Sequence, residues 1–371
     1  MKSKLHQAES QKNRKTGLRK NKKQKQVRKL SHSENSIRPR LPENRPDPVF
    51  MEKKATEAGF IASSGISEGE RSREHMQLSF NSWYRNNLTE ELSFSEIVQL
   101  CLAFSRGYRI TARQLGDFLP LPLNGLATVI ITASNEEKTL PGVITQLRRL
   151  PFHEIIVVLN GCTDGSYEAV EEHPSILKLN FPERLGHDVG RAIGASAATG
   201  DILLFTDGDL PLRAEELAPY LISVDRGDDV ALNDLSPYLP PFSGQDEVSR
   251  SKTFLNQCLG RGDLKANSMT AVPHALSRRA IHTIGTAALV VPPKAQALAI
   301  VHGLKVSAPY TVDVIRNNRV RSGNTGAGNA VARLITGDHI EAIGEAMSMK
   351  GIRLDYKTLS RSELAKMRNA I

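Results

Sequence analysis

Short strand-like segments alternate with helix-like segments in the middle of the chain, and this alternation constrains the fold more than any other feature. The aliphatic and β-branched runs that predict strands are 127–133, 154–160, 175–180 and 201–207. The intervening segments predicted to be helical are 139–150, 166–172 and 189–199. Strands connected by helical crossovers are parallel, so the sequence predicts an α/β fold with a Rossmann-like mixed sheet between helices. In such sheets ligands bind where the strands end.

The positive charge of the chain is concentrated in its first 48 residues. They contain 15 of the 49 lysines and arginines and 4 of the 40 acidic residues, so this segment carries about +11 and the remainder about −2. Because it has few large apolar side chains, it cannot offset the entropy of ordering, and we expect a disordered basic tail. The tail either solubilises the chain or contacts an anionic membrane surface or an acidic polymer. No specific nucleic acid partner is predicted.

Cysteine usage and hydropathy favour a cytoplasmic location. Cys101, Cys162 and Cys258 are widely spaced and odd in number, which indicates neither a disulfide framework nor a zinc site. No run of about 18 apolar residues is long enough to cross a bilayer. The first thirty residues also lack the apolar stretch of a secretory signal. We expect a cytoplasmic protein, with peripheral membrane contact as an open possibility.

Polar residues follow each predicted strand directly. Ser134 to Glu137 follow the first strand, and the turn-forming string NGCTDGS, which contains Asp164, follows the second. The string GDILLFTDGDLPL places Asp207 and Asp209 on either side of one glycine. Two carboxylates this close repel each other unless a cation compensates them, and Mg²⁺ or Mn²⁺ prefers such oxygen ligands. The structural alternatives are helix capping, an Asx turn and a solvated strand-end turn.

Taken in order, SNEE, NGCTDGS and GHDVGRAIGASAATGDILLFTDGD resemble the nucleotide-sugar half of family 2 glycosyltransferases with the GT-A fold. The resemblance covers 127–212 and continues more faintly to about Gly303. It implies a metal-binding DXD pair, with Asp209 as the main metal ligand and Asp207 beside it. The donor-binding residues that it implies are Ser134, Glu136, Asp164, Arg191 and Asp207.

One departure from that family leaves the catalytic base open. Inverting members have an acidic pair about a dozen residues before a glycine such as Gly303, and here that position reads Val291, Pro292 and Pro293. The substitutes that the sequence offers as a base are Asp263 and His274, and His339 is a further candidate metal ligand. The stereochemistry of transfer, inverting or retaining, therefore stays open.

The resemblance implies a metal-dependent glycosyltransferase that moves a sugar from a nucleoside diphosphate sugar, UDP-sugar by default, to an unknown acceptor hydroxyl on a glycan, lipid or small molecule. The alternatives are a catalytically inactive nucleotide-sugar-binding protein and a sugar nucleotidyltransferase. The predicted organisation is a tail at 1–48, a linker and accessory helical region at 49–125, a GT-A domain at 126–346 and a C-terminal helical tail at 347–371. Within the GT-A domain, 126–212 is the nucleotide-binding half and 213–346 the acceptor half.

Overall fold

One mixed sheet organises the chain in the computed structural model, which describes residues 47–88, 92–317 and 330–369. Its strands are β1 Ala127–Ala133, β2 Phe152–Asn160, β3 Ile176–Phe181, β4 Ile202–Asp207, β5 Val230–Asn233, β6 His274–Ser277 and β7 Val306–Tyr310. Their order is β3-β2-β1-β4-β6-β5-β7. Only β6 runs antiparallel to its neighbours. The other six strands therefore end at the same side of the sheet, which we name the carboxyl edge.

Helices cover both faces of this sheet. Within the described ranges they are α1 Pro48–Ser64, α2 Arg73–Asn87, α3 Phe94–Tyr108, α4 Leu140–Leu147, α5 Val189–Ala197, α6 Ala214–Asp225, α7 Glu247–Cys258, α8 Arg278–Ile284, α9 Pro292–Val301, α10 Val314–Asn317, α11 Ala330–Lys350 and α12 Arg361–Asn369. Alternate strand residues serve the two faces: Ile131 packs toward α1 to α4 and α6, whereas Ile130 packs toward α5, α7 to α9 and α11. The predicted mixed α/β fold with the sheet between helices is confirmed.

An accessory layer of three helices precedes the sheet in the chain. At α3, Ser93 and Glu96 form a capping box, in which the Ser93 hydroxyl accepts from the Glu96 amide. α1 and α3 are in close contact at Gly107. A Cβ added there would lie 1.8 Å from the carbonyl oxygen of Thr56 on α1, so a larger residue would not fit. The region expected to begin as a linker at residue 49 is therefore helical almost from its start, since α1 and α2 bury Ala55, Met76 and Phe80 in the core.

The structure differs from the sequence prediction in one helix and in one domain boundary. The helix predicted at 166–172 is wrong: residues 166–169 form turns and residues 171–172 have no regular structure, although the Ala169 amide makes an α-helical type bond to the Gly165 carbonyl. Pro174, two residues beyond the segment, has no amide with which to extend a ladder. The predicted boundary at 346 falls inside α11, so the C-terminal tail does not begin at a break in structure.

Part of the sequence prediction lies outside the described residues. The basic tail expected at 1–48 falls there except for its last two residues, so its predicted disorder stays a prediction. In the ranges that the structure does describe, every helix is too short or too polar to cross a bilayer.

Candidate active site

A shallow cleft opens at the carboxyl edge, where β1, β2 and β4 end side by side. Its volume is about 90 Å³, below the roughly 300 Å³ at which enclosed ligand pockets usually begin, so a ligand would lie along the cleft with much of its surface in solvent. The residues that line it are Thr132, Ala133, Ser134, Glu136, Asn160, Arg184, Gly186, His187, Asp188, Arg191, Asp207, Gly208 and Asp209. Five of the seven residues predicted for the donor and the metal are among them, and the two that are not are Asp164 and His339.

The turn Asp207-Gly208-Asp209 forms the floor of the cleft. Asp207 is the last residue of β4, and its Oδ1 accepts a hydrogen bond of 2.9 Å from the hydroxyl of Thr132 on β1. The Gly208 amide donates to the Thr132 carbonyl at 2.8 Å, and a Cβ at this glycine would lie 2.8 Å from the Cβ of Ala133. Only glycine allows so close an approach to β1, and this approach keeps both carboxylates at the cleft.

A buried arginine supplies positive charge beside these acids. Arg191 on α5 is only 5% exposed, and its Nη1 lies 3.1 Å from Asp188 Oδ1 and donates to the Met269 carbonyl at 3.1 Å. Its Nη2 lies 3.8 Å from Asp207 Oδ1. A buried cation held by carboxylates on two sides keeps a fixed position. Arg191 therefore lies where it can face the phosphates of a bound nucleotide as well as Asp207.

The end of β2 fixes the opposite wall of the cleft. The side chain of Asn160, 7% exposed, donates from Nδ2 to the Gly186 carbonyl at 2.7 Å and accepts from the Leu185 amide at 2.8 Å. Both bonds hold the loop that leads into α5 and Arg191. Asn160 is not among the site residues predicted from the sequence. The sequence signal that could have identified it is its position as a polar residue at the end of a run of aliphatic residues.

The loops after β1 and β2 are tied to each other. Asn135 adopts a left-handed backbone (φ 61°), and its Oδ1 accepts from the Thr163 amide at 2.7 Å. Glu136 is 4% exposed, its amide donates to the Ser166 hydroxyl at 2.7 Å, and its Oε2 accepts from the Thr139 hydroxyl at 3.1 Å. The two loops thus form one rigid rim, with Ser134 and Glu136 on its cleft side.

Asp164 holds this rim together from outside the set of cleft-lining residues. Its Oδ1 accepts from the amide and the hydroxyl of Ser166, and its Oδ2 accepts from the Glu137 amide at 3.2 Å. Burial raises the pKa of Asp164, but these hydrogen bonds outweigh it and leave the pKa below its usual value. The carboxylate is therefore ionised and engaged with the two loops. Its predicted contact with the donor stays a prediction.

His274 does not have the surroundings of a general base. It is 1% exposed, its ring stacks on Phe205 with centroids 5.1 Å apart, and its Nδ1 lies 2.9 Å from the Ala271 carbonyl. Burial, assisted by the positive charge of Arg191, lowers the pKa of His274 to about 3. His274 is not among the residues that line the cleft. This candidate is corrected, because a base must reach the acceptor hydroxyl.

Asp263 and His339 are also absent from the residues that line the cleft. Asp263 pairs with Arg261, whose Nη2 donates to the Val306 carbonyl at the first residue of β7, at the edge of the sheet opposite the cleft. His339 is 1% exposed and its Nδ1 contacts the Ile335 carbonyl within α11. Burial lowers the pKa of His339 to about 4. Asp263 is therefore not retained as a candidate base, whereas the predicted role of His339 as a metal ligand stays a prediction.

The remaining donor set fits a cation that is completed by substrate. Among the residues that the structure describes, no three His, Cys, Asp or Glu side chains converge on a possible metal position. Proteins commonly hold Mg²⁺ with one or two carboxylates, and waters and substrate phosphates provide the other ligands. Asp209 with Asp207 meets that requirement, and Asp207 already shares Oδ1 with Thr132. The resemblance implies Asp209 as the main metal ligand of the two, and this assignment stays a prediction.

Solved structures to which this chain is similar include glucosyl-3-phosphoglycerate synthase from Mycobacterium tuberculosis in complex with Mn²⁺, UDP and phosphoglyceric acid. The identity is 15%, with 62% of this chain and 79% of that chain covered and a TM-score of 0.44. The same synthase with Mg²⁺ and UDP gives 16% identity, coverage of 60% and 80%, and a TM-score of 0.43. At this level of similarity the likeness assigns no donor, metal or acceptor to this chain. No curated protein matches the sequence.

The family comparison concerns the segment that builds the cleft. Residues 128–241 match the family described as glycosyl transferase family 2. The matched segment runs from β1 through the loop after β5, so it includes the rim, the Asp207-Gly208-Asp209 turn and Arg191. Residues 128–241 are therefore similar to glycosyl transferase family 2, which confirms the predicted resemblance and the predicted enzyme class.

Proposed function

We propose that the cleft binds a nucleoside diphosphate sugar together with Mg²⁺ or Mn²⁺, and that the chain transfers the glycosyl group to an acceptor hydroxyl. The observation that carries this proposal is that Asp207, Asp209 and the buried Arg191 meet at the carboxyl edge, inside the segment of family 2. UDP is the default nucleotide. In this assignment Ser134, Glu136 and Asp207 hold the nucleoside, and Asp209 is the main ligand of the metal.

Glycosyl transfer builds negative charge on the departing diphosphate, and the chain's own residues are arranged to compensate it. Arg191 holds its charge beside Asp207 without reorganisation, because Asp188 and the Met269 carbonyl fix the guanidinium. Asp209 would hold a divalent cation, which would supply further Lewis-acid compensation of that charge. The Asn160 and Asn135 contacts hold the two walls of the cleft in a fixed position, so the donor is held in one orientation.

We place the acceptor in the half of the domain after residue 212. A cavity of about 260 Å³ between α3 and the start of α6 supports this placement, because Arg213, Glu216 and Tyr310 line it. Tyr310 ends β7, so this lining residue lies at the carboxyl edge, as the cleft does. Tyr220, a second aromatic residue of this half, is fully buried and donates to Asn233 Oδ1, so it serves the core. Glycan, lipid and small-molecule acceptors remain candidates.

The metal assignment is tested by comparing Asp209→Asn with Asp263→Asn. Both changes remove one carboxylate charge, but Asp263 lies at the opposite edge of the sheet. We expect UDP with Mn²⁺ to raise the melting temperature of the unaltered protein and of Asp263→Asn, since a ligand that binds the native state stabilises it. Asp209→Asn should lose the Mn²⁺-dependent part of that increase. An equal increase in both variants would refute the metal assignment.

An activity assay distinguishes an enzyme from an inactive binding protein. The inactive binding protein is the second candidate because Val291, Pro292 and Pro293 stand where inverting members of the family have an acidic pair. Release of UDP from UDP-sugars in the presence of Mn²⁺ and an acceptor panel should be lost in Asp209→Asn and kept in Asp263→Asn. Saturable binding with no release above the Asp209→Asn background would favour the inactive binding protein. The cytoplasmic location also stays a proposal, supported by the three free cysteines.

A further inference from the structure

The outer side of α1 exposes large apolar side chains at both ends of the helix. Val49 and Phe50 in the first turn are 59% and 50% exposed, and Phe60 and Ile61 near the end are 41% and 60% exposed. Phe50 and Ile61 are eleven residues apart, so about three turns and roughly 16 Å separate them along the same side. The inner side of the helix, by contrast, buries Ala55 and Gly59 against α3. We name these four exposed residues the outer apolar face.

Lysines lie between the two apolar pairs. Lys53 and Lys54 are exposed in the middle of the helix, and Lys54 Nζ lies 4.8 Å from the centre of the Phe50 ring. Glu57 is the exposed acid on this stretch, whereas Glu52 pairs with Arg106 at 3.7 Å. A groove of about 450 Å³ beside the helix is lined by Val49, Phe60 and Ile110 together with charged side chains. Aliphatic and aromatic tips next to lysines form the kind of face that lies at a membrane interface.

The sequence directly before α1 adds a second attraction of the same kind. Residues 1–46 contain 15 lysines and arginines against 3 acidic residues, and they end two residues before the helix begins. Clustered basic residues are attracted to anionic lipid headgroups, and the attraction weakens as salt rises. Weak apolar insertion and weak electrostatic attraction become effective binding when the two are combined in one chain.

We propose that the outer apolar face docks on an anionic phospholipid bilayer, to which the preceding basic segment draws it. The charge of that segment complements an anionic leaflet, which favours a bilayer over a second, equally basic copy of this chain. The separation of the apolar residues into two pairs with lysines between them fits insertion among headgroups better than a continuous protein interface, whose centre is depleted of charge. The proposal concerns binding alone and is independent of the assigned glycosyl transfer.

The test measures co-sedimentation of the full chain with vesicles of phosphatidylcholine alone and with 30% phosphatidylserine. We expect binding to the anionic vesicles at 0.1 M salt and little binding to the neutral ones. Phe50→Ser combined with Ile61→Ser should weaken the apparent affinity at least tenfold, because both exposed side chains lose their insertion. Phe254→Ser is the control: Phe254 is 58% exposed on α7, so its loss should change the affinity less than twofold.

The outcomes separate the proposal from its alternatives. Equal affinity of the double variant and the control would overturn it, since binding would then depend on charge alone. Binding to single-stranded RNA without binding to anionic vesicles would overturn it in favour of a nucleic acid partner. A dimer that dissociates in the double variant, again without vesicle binding, would assign the face to a second copy. Melting temperatures within about 2 °C of the unaltered protein show that both variants fold.

Discussion

The close contact between α5 and β1 provides a sharp test of how the cleft is supported. Gly194 lies in α5, one turn after Arg191, and a Cβ at this position would lie 2.3 Å from Cγ2 of the buried Ile130. Helix propensity alone favours Gly194→Ala by about 1 kcal/mol. Overpacking of a tight core costs about 1–3 kcal/mol, and an approach this short belongs at the upper end of that range. We therefore expect Gly194→Ala to lower the free energy of unfolding by about 1–2 kcal/mol.

Gly344→Ala is the matched control, because Gly344 lies in α11 and a Cβ there would have no neighbour within 4 Å. The same propensity term should raise the free energy of unfolding by about 0.5–1 kcal/mol. The assay is urea unfolding followed by far-ultraviolet circular dichroism, and the two substitutions should shift the midpoint in opposite directions. A Gly194→Ala protein as stable as Gly344→Ala would refute the reasoning.

A double-mutant cycle locates the effect. In an Ile130→Ala background the obstructing side chain is gone, so Gly194→Ala should become neutral or stabilising. In the unaltered background, movement of α5 away from β1 carries Arg191 with it, and the affinity for UDP should fall. A cost of Gly194→Ala that is the same in both backgrounds would assign the effect to something other than Ile130.

Two further predictions concern Asn160 and His274. Asn160→Ala leaves the Leu185 amide and the Gly186 carbonyl without their bonds, so we expect a loss of about 1–3 kcal/mol in urea unfolding and weaker UDP binding by calorimetry; unchanged values for both would contradict the role given to Asn160. His274 has a pKa of about 3 when folded and an ordinary value near 6.5 when unfolded, so the unfolded chain binds the proton first and stability falls as pH drops from about 6.5 toward 3. Melting temperature measured from pH 7 to 4 should therefore decline less steeply in His274→Gln than in the exposed control His153→Gln, and parallel curves would count against a buried neutral imidazole.

The sequence predicted those features that depend on local pattern. β1 is bounded as expected at Ala127 and Ala133, because a run of β-branched residues has little alternative to a buried strand. The placement of Asp207 and Asp209 at a cleft followed from the rule that parallel strands end at one edge. Both inferences use neighbours in sequence and one general property of sheets, so they needed no knowledge of distant contacts.

Features that depend on long-range packing could not be predicted in the same way. The burial of His274 results from β6 pairing with β4, a contact between segments about 70 residues apart. Asp263 looked like a free acid in sequence, but Arg261 places it at the opposite edge of the sheet. The hydrogen bond from Asn160 to the Gly186 carbonyl forms only because the fold brings the Gly186 loop beside the end of β2. In each case the partner is chosen by the tertiary fold rather than by spacing along the chain.

The antiparallel strand β6 has a consequence for synthesis of the chain. Residues 274–277 occupy the position between β4 and β5, so β4 gains its second neighbour only after the ribosome has added some seventy residues beyond Asp207. Until then the nascent α/β unit presents an unpaired strand flank, the kind of surface on which chains aggregate. A truncation anywhere before residue 274 would leave that flank permanently open, and we expect such fragments to require a chaperone or to precipitate.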